Sequence, residues 1–172
     1  MSLTLKDAKI MDQWSLMLPG CQGEGPGIVQ AVQQKLASFE FPGLSWKEES
    51  ASTGLLKGLM GKRRDVLVVR NEKFSEWLVC IGAQDYGRFL NVSWYLTVSP
   101  GFMNKVRGAA SAVAGEGNMF LNVLDVFDQQ DVSAYAAATR MATQIAVQEI
   151  TQKRELDFDR LERQSRGLGA AK

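Results

Sequence analysis

Residues 64–98 decide the fold, because their sequence, RDVLVVRNEKFSEWLVCIGAQDYGRFLNVSWYLTV, predicts three consecutive β-strands joined by short polar turns. In Leu90–Val98, apolar residues at even positions alternate with polar or amphipathic residues at odd positions. Successive side chains of a strand point to opposite faces, so this pattern is typical of a half-buried antiparallel strand. Glu76–Ala83 is apolar on both faces and is expected at the centre of the sheet. Val66–Val69 is a short apolar run between charged residues and predicts a third, buried strand.

The connections between these strands favour an antiparallel meander. Asn71-Glu72-Lys73 and Gln84–Gly87 supply polar residues and a glycine where the backbone must reverse. Parallel neighbours would need a long crossover, which connections of this length cannot provide.

The segment before the meander predicts two helices and an edge strand. Apolar residues at spacings of three, four and seven predict a first helix over Thr4–Leu18, which Pro19-Gly20 ends. A glycine-rich loop, residues 20–27, leads into a second helix over Ile28–Phe39. Leu44–Ser50 carries several charges and predicts a strand at the edge of the sheet.

The segment after the meander predicts a strand and a long helix. Met119–Phe127 alternates imperfectly and is expected to form a further strand. An alanine-rich helix is predicted over Val132–Leu156, with Asp128 or Asp131 as its N-cap. Residues 157–172 mix both charge signs and are expected to be a disordered tail. The sequence therefore predicts one α+β domain over residues 1–156. An antiparallel meander of about four to five strands would carry the helices on one face.

The composition excludes several chemistries. The 172 residues include no histidine, which removes the commonest general acid/base and the commonest metal ligand. Ser-His-Asp and Cys-His catalysis are therefore impossible within this chain, and two distant cysteines do not form a zinc site. We expect no catalytic residue, no metal and no cofactor.

The chain also lacks the signals of export. Charged residues at positions 6, 7, 9 and 12 interrupt any apolar region of a signal peptide, and no apolar run is long enough to span a bilayer. Cys21 and Cys80 are isolated in sequence, and Cys80 falls in a predicted core strand, so both are expected to be reduced thiols. These features predict a cytoplasmic location.

Two segments combine cations with large apolar residues, which is the composition of a surface that binds anionic membranes or acidic partners. The first is residues 54–64, and the second is residues 100–107, at the start of a glycine- and alanine-rich connection that extends to residue 118. The alternative is that the apolar side chains pack into the core while the cations extend to solvent. The candidate residues are Leu55, Leu56, Lys57, Leu59, Met60, Lys62, Arg63, Arg64, Phe102, Met103, Lys105 and Arg107.

The polar face of the last strand is a further candidate surface. If no helix covers it, this face could line a groove or pair with another subunit; the alternative is an ordinary solvated sheet face. Its residues are Asn91, Ser93, Tyr95 and Thr97, together with Tyr86 from the preceding turn.

Two other patterns have ordinary structural explanations. The glycine-rich loop 20–27 could present N–H groups to a phosphate, but it lacks the lysine and hydroxyl residue of a P-loop, and Glu24 adds a negative charge. Asp125, Asp128 and Asp131 could share a helix face and hold Mg²⁺ or Ca²⁺, but helix capping and solvation are favoured.

These features predict a non-catalytic cytoplasmic binding or assembly module that recognises a protein partner, or itself, through the sheet face and the two loops. A peripheral membrane or lipid-binding domain using the loops 54–64 and 100–107 is the second hypothesis, and a carboxylate- and metal-dependent enzyme is the third. Nucleic acid is not expected, because the net charge is +1 and no aromatic residues are interleaved with the cations. An apolar cavity between the sheet and the long helix would instead indicate a ligand carrier.

Overall fold

The structure is a computed structural model, and it describes residues 2–4, 8–52, 63–102, 104, 124–158, 161 and 163–166. A short helical turn at residues 100–102 follows the sixth strand. The longer elements, in chain order, are β1 (Ser2–Thr4), β2 (Lys9–Pro19), α1 (Gly25–Ser38), β3 (Leu44–Ser52), β4 (Arg63–Asn71), β5 (Trp77–Tyr86), β6 (Phe89–Val98), α2 (Val126–Lys153) and β7 (Arg163–Arg166).

The described strands form a single sheet in the order β1-β3-β4-β5-β6-β2-β7. Its central strands, from β3 to β2, pair antiparallel, as does β7 against β2, whereas β1 pairs in parallel with β3. The predicted meander is confirmed, with β5 between β4 and β6. Tyr86 pairs with Phe89, so a two-residue turn joins β5 to β6, and Gly87 in that turn has a positive φ of 60°.

The predicted first helix over Thr4–Leu18 is wrong, because Lys9–Pro19 form β2, which pairs with β6 along its length. Trp14 and Leu18 face the core, and the side chains between them alternate in burial. A spacing of four fits a helix, but it also equals two periods of a strand, so the pattern that predicted the helix was ambiguous. Pairing with the buried strand β6 decides between the two.

Both described helices lie on one face of the sheet, so the α+β class, the antiparallel sheet and the long C-terminal helix are confirmed. The helix α2 begins at Val126, six residues earlier than predicted, and its N-cap is Asp125 rather than Asp128 or Asp131. The last two residues of the predicted strand Met119–Phe127 are therefore helical, while residues 119–123 lie outside the described residues.

The core lies between the helices and the sheet. It joins every second residue of the central strands to one stripe of each helix. Its most deeply buried members are Trp14, Leu16, Leu18, Leu67, Val69, Trp77, Val79, Ile81, Leu90, Val92, Trp94, Leu96 and Val98 from the strands, Ile28, Val32 and Leu36 from α1, and Val132, Tyr135, Ala142, Ala146 and Val147 from α2.

The two helices run antiparallel and differ in length. Glu24, before the start of α1, pairs with Arg154, after the end of α2, and Lys35 pairs with Glu149. With 14 and 28 residues, they are about 21 Å and 42 Å long. As a result, α1 lies beside the C-terminal half of α2 only, and the loop after α1 lies beside its N-terminal half.

Residues 163–166 correct part of the predicted tail, since they form β7 against β2 instead of being disordered. They widen the sheet by one short strand at the side of β2.

Candidate functional site

The predicted residues of the last strand share the sheet face opposite the two helices. Asn91, Ser93, Tyr95 and Thr97 occupy odd positions of β6, whereas the even positions enter the core. The side chain of Tyr86 in β5 is on the same face, because even positions of β5 oppose odd positions of β6. The structure therefore brings all five candidate residues together on one surface.

The centre of this face is shielded from solvent. Val68 and Cys80 are 0% and 2% exposed, and the hydroxyl of Thr97 is buried and donates to the backbone oxygen of Leu78 at 3.1 Å. Gly82 lies opposite Ser93, and a Cβ at Gly82 would approach Ser93 Oγ to 3.1 Å. Ser93 and Thr97 are thus packed into a closed centre and are not freely accessible.

Several exposed side chains of this face cluster near the turn between β5 and β6, apart from Ile10, which is 51% exposed opposite Thr97 at the other end. We call Met17, Arg64, Tyr86 and Phe89 the hairpin patch. Tyr86 and Phe89 face each other across the turn and are 50% and 45% exposed. Arg64 Nη2 donates to Tyr86 Oη at 2.8 Å, and its guanidinium carbon lies 6.0 Å from the centre of the ring. Met17 is 36% exposed on the neighbouring strand, and its sulfur accepts a hydrogen bond from Asn91.

The two basic-apolar segments are described only in part. Arg63 belongs to β4, and Arg64 belongs to the hairpin patch. Phe102 is buried, with its ring centre 5.6 Å from that of Trp77, so it is a core residue. The prediction of one composite patch is untested, because the following candidates lie outside the described residues: Leu55, Leu56, Lys57, Leu59, Met60, Lys62, Met103, Lys105 and Arg107.

The glycine-rich loop holds a carboxylate of the chain itself. The N–H of Gly23 donates to both carboxylate oxygens of Asp85, each at 3.1 Å. At Gly25 the start of α1 comes so close to β5 that a Cβ there would be 3.1 Å from the backbone oxygen of Ala83. An internal anion thus occupies the position for which we considered a phosphate.

The three aspartates at the start of α2 act in capping and charge pairing. Asp125 accepts a hydrogen bond from the N–H of Asp128 at 2.8 Å and is the N-cap of the helix. Asp128 and Asp131 lie 2.9 and 2.8 Å from Lys73 Nζ. Hydrogen bonds to Asp131 and Asp128 raise the pKa of Lys73 above its ordinary value. Among the described residues, no three acidic or cysteine side chains converge as metal ligands.

Sequence reasoning missed a pocket of about 630 Å³ beside the N-terminal half of α2, which we call the α2 pocket. Its existence follows from the unequal lengths of the helices, because α1 ends before it can cover this part of α2. Its walls come from the loop after α1, the turn between β4 and β5, and α2 itself. The main apolar contributions are Phe41, Leu44, Phe74, Ala134, Tyr135 and Ala138.

An ion pair between the buried Asp12 and the partly exposed Arg140 joins β2 to α2, and no pattern in the sequence indicated it. Asp12 is 6% exposed, and its Oδ2 lies 3.3 Å from Nη1 of Arg140. Arg140 in turn lies over the ring of Trp94, 5.2 Å from its centre, and Trp94 Nε1 donates to Thr139 Oγ1 at 3.2 Å. Asp12 Oδ1 accepts no hydrogen bond from a described residue. Burial raises the pKa of Asp12, and the charge of Arg140 opposes this only in part.

Known proteins provide no template for these sites. No protein-family model matches the sequence, and no curated protein or solved structure is significantly similar to it. Neither of the two helices in the described part of the chain has the length and apolar composition to cross a membrane.

Proposed function

We propose that this chain is a non-catalytic binding or assembly module that recognises a protein partner through the hairpin patch, and that the partner can be a second copy of the chain. The observation that supports this proposal is the joint exposure of Met17, Tyr86 and Phe89 beside Arg64 on the sheet face opposite the helices. Clustered apolar side chains on a surface are typical of interaction sites.

The residue types and their rigidity support a protein partner. Tyrosine and arginine are enriched among the residues that dominate binding energy in protein interfaces. Tyr86 and Phe89 extend from central strands and are held in register by a two-residue turn. Arg64 is oriented by its hydrogen bond to Tyr86, so little side-chain entropy remains to be lost on binding.

The two other hypotheses have weaker support. A peripheral membrane role would use the loops 54–64 and 100–107, but Phe102, the large aromatic side chain of the second loop, is buried against Trp77. A carboxylate- and metal-dependent enzyme would use Asp125, Asp128 and Asp131, which serve as a helix cap and as partners of Lys73.

The test compares two exposed phenylalanines on opposite sides of the sheet. A photo-reactive phenylalanine analogue is placed at Phe89 in one protein and at Phe127 of α2, which is 75% exposed, in the other. After irradiation in a cell extract, and of the purified chain alone, we expect one discrete adduct from position 89 and none from position 127.

Sedimentation velocity then identifies self-association. If the adduct contains a second copy, Tyr86→Ser combined with Phe89→Ser should shift the association equilibrium toward monomer, whereas Phe127→Ser should leave it unchanged. Equal cross-linking from both positions, or no discrete adduct from position 89 together with a strict monomer, would refute the proposal.

A further inference from the structure

The α2 pocket lies on the helix side of the sheet, away from the hairpin patch. Its inner wall consists of two aromatic rings that are almost fully buried, Phe74 at 8% and Tyr135 at 5% exposure. Phe41, Leu44 and Ala134 also line the pocket, and the small side chain of Ala134 leaves the space open. A concave, mainly apolar space of this size is typical of sites for small molecules.

Hydrogen bonds hold the walls of the pocket in place. The N–H of Glu72 donates to the backbone oxygen of Gly43 at 2.9 Å, which ties the turn between β4 and β5 to the loop after α1. Tyr135 Oη donates to the backbone oxygen of Val69 at 2.8 Å, which ties α2 to β4. The pocket is therefore formed before any ligand arrives, and a ligand need not order its walls.

The charges at the mouth of the pocket favour a cation. Glu72, Lys73 and Asp131 line it, and Asp128 pairs with Lys73 beside it, so these four residues carry a net charge of −2. Glu72 pairs with no cation among the described residues. Lys73 Nζ already lies 5.0 Å from the ring centre of Phe74, so the turn itself places a positive charge against the aromatic wall.

We propose that the α2 pocket binds a small organic cation, namely an amine that carries an aromatic or aliphatic body. The body packs between Phe41, Phe74 and Tyr135, and the ammonium group lies at the mouth near Glu72 and Asp131. Charge-assisted hydrogen bonds to these carboxylates fix the orientation, and burial of the body supplies most of the affinity. This activity does not depend on the hairpin patch.

The test uses three probes with the same ring and similar chain length: phenethylamine, 3-phenylpropionate and 3-phenyl-1-propanol. In NMR titrations of the full chain, we expect saturable shifts in Phe74, Ala134 and Tyr135 with phenethylamine. The carboxylate should bind at least about tenfold more weakly, which corresponds to about 1.4 kcal/mol, and the alcohol should lie between the two. Added salt should lower the affinity for the amine and leave the affinity for the alcohol unchanged.

Two substitutions on the same helix separate filling of the pocket from a general effect on α2. Ala134→Phe fills the pocket and should abolish binding of all three probes, whereas Ala137→Phe, at an exposed position that does not line the pocket, should leave them unchanged. Circular dichroism and thermal unfolding establish that both variants are folded. Should Ala134→Phe not fold, Glu72→Gln at the exposed turn takes its place. This variant should lower the affinity for phenethylamine severalfold and leave the affinity for the alcohol unchanged.

Several results would overturn the inference. These are the absence of saturable binding by any probe, binding of the carboxylate as tightly as the amine, and unchanged binding after Ala134→Phe and Glu72→Gln. The combined variant Tyr86→Ser and Phe89→Ser should retain amine binding, so failure at one site is distinguishable from failure at the other.

Discussion

The two faces of the sheet come from the same strands but are filled in opposite ways. The face beneath the helices buries large side chains, among them Trp14, Trp77 and Trp94. The centre of the other face carries smaller residues such as Cys80 and Gly82, and its exposed large apolar side chains lie toward its two ends, at Met17, Tyr86 and Phe89 and at Ile10. One face thus contributes the larger buried side chains, while the other exposes the hairpin patch, which we propose as a binding surface.

The largest expected effect is the loss of a tryptophan from the helix-covered face. Trp94→Ala should lower the free energy of unfolding by about 3–5 kcal/mol, because it leaves a cavity under α2 and removes the hydrogen bond to Thr139. Tyr95→Ala, at the next position on the other face, should lower the free energy of unfolding by less, because Tyr95 is only partly buried. Urea unfolding followed by circular dichroism measures both. Equal losses of unfolding free energy would show that the two faces contribute equally to stability.

The second effect concerns the ion pair between Asp12 and Arg140 and depends on pH. Arg140→Met should lower the free energy of unfolding by about 1–3 kcal/mol at neutral pH, because it leaves the Asp12 carboxylate buried without its partner. Burial raises the pKa of Asp12, so the folded state binds the proton more tightly than the unfolded state. The contribution of Asp12 to stability is therefore fully present at low pH and is lost as the pH rises through the folded-state pKa.

The cost of Arg140→Met should consequently shrink as the pH is lowered, since a protonated Asp12 no longer needs the cation. Urea unfolding at several pH values measures this trend. In an Asp12→Asn background, Arg140→Met should have the same effect at every pH. A penalty that grows on acidification would contradict the assigned ion pair.

A smaller effect is expected from the exposed end of the other face. Tyr86→Ser and Phe89→Ser should each change the free energy of unfolding by no more than about 0.5 kcal/mol, because both side chains remain half exposed in the folded state. Thermal unfolding of the monomeric chain measures the change. A much larger loss would mean that the patch belongs to the folded core and that its proposed role in binding needs another explanation.

The smallest expected effect concerns the two thiols, one on each side of the sheet, which should not react with a thiol reagent in the folded protein. Cys21 lies in the core and Cys80 on the opposite face, and both are free and buried. Burial raises the pKa of the Cys80 thiol to about 11, so it is protonated at neutral pH. Neither should react with a thiol reagent before the protein is unfolded. Rapid labelling of Cys80 alone would show that its face opens while the core stays closed.

Most of the sheet could be predicted from sequence, because Leu90–Val98 alternates strictly and the short turns leave no alternative to a meander. β2 could not, since Asp12 interrupts its apolar alternation. In the fold, Arg140, distant in sequence, lies beside that buried carboxylate and offsets part of the cost of burying it. A local pattern cannot reveal a partner supplied by tertiary structure. The spacing of four between Ile10 and Trp14 therefore led to the prediction of a helix.

The candidate sites show the same limit. Placing Asn91, Ser93, Tyr95 and Thr97 on one face required only the strand period, and the structure agrees. Which of them solvent can reach depends on the neighbouring strands, through pairings such as that of Gly82 with Ser93. The lengths predicted for the helices over Ile28–Phe39 and Val132–Leu156 already differed, but the pocket follows from that difference only once the helices are known to lie antiparallel.

The carboxylate of Asp85 affects which ligands the glycine-rich loop before α1 can bind. Because it accepts the hydrogen bonds of Gly23, the loop ahead of α1 is already neutralised from within the chain. Calorimetric titration with phosphate should accordingly show no saturable binding at this loop. A single change, Asp85→Ala, would leave the N–H of Gly23 without this acceptor and would remove the tie that the two residues make between the loop and β5.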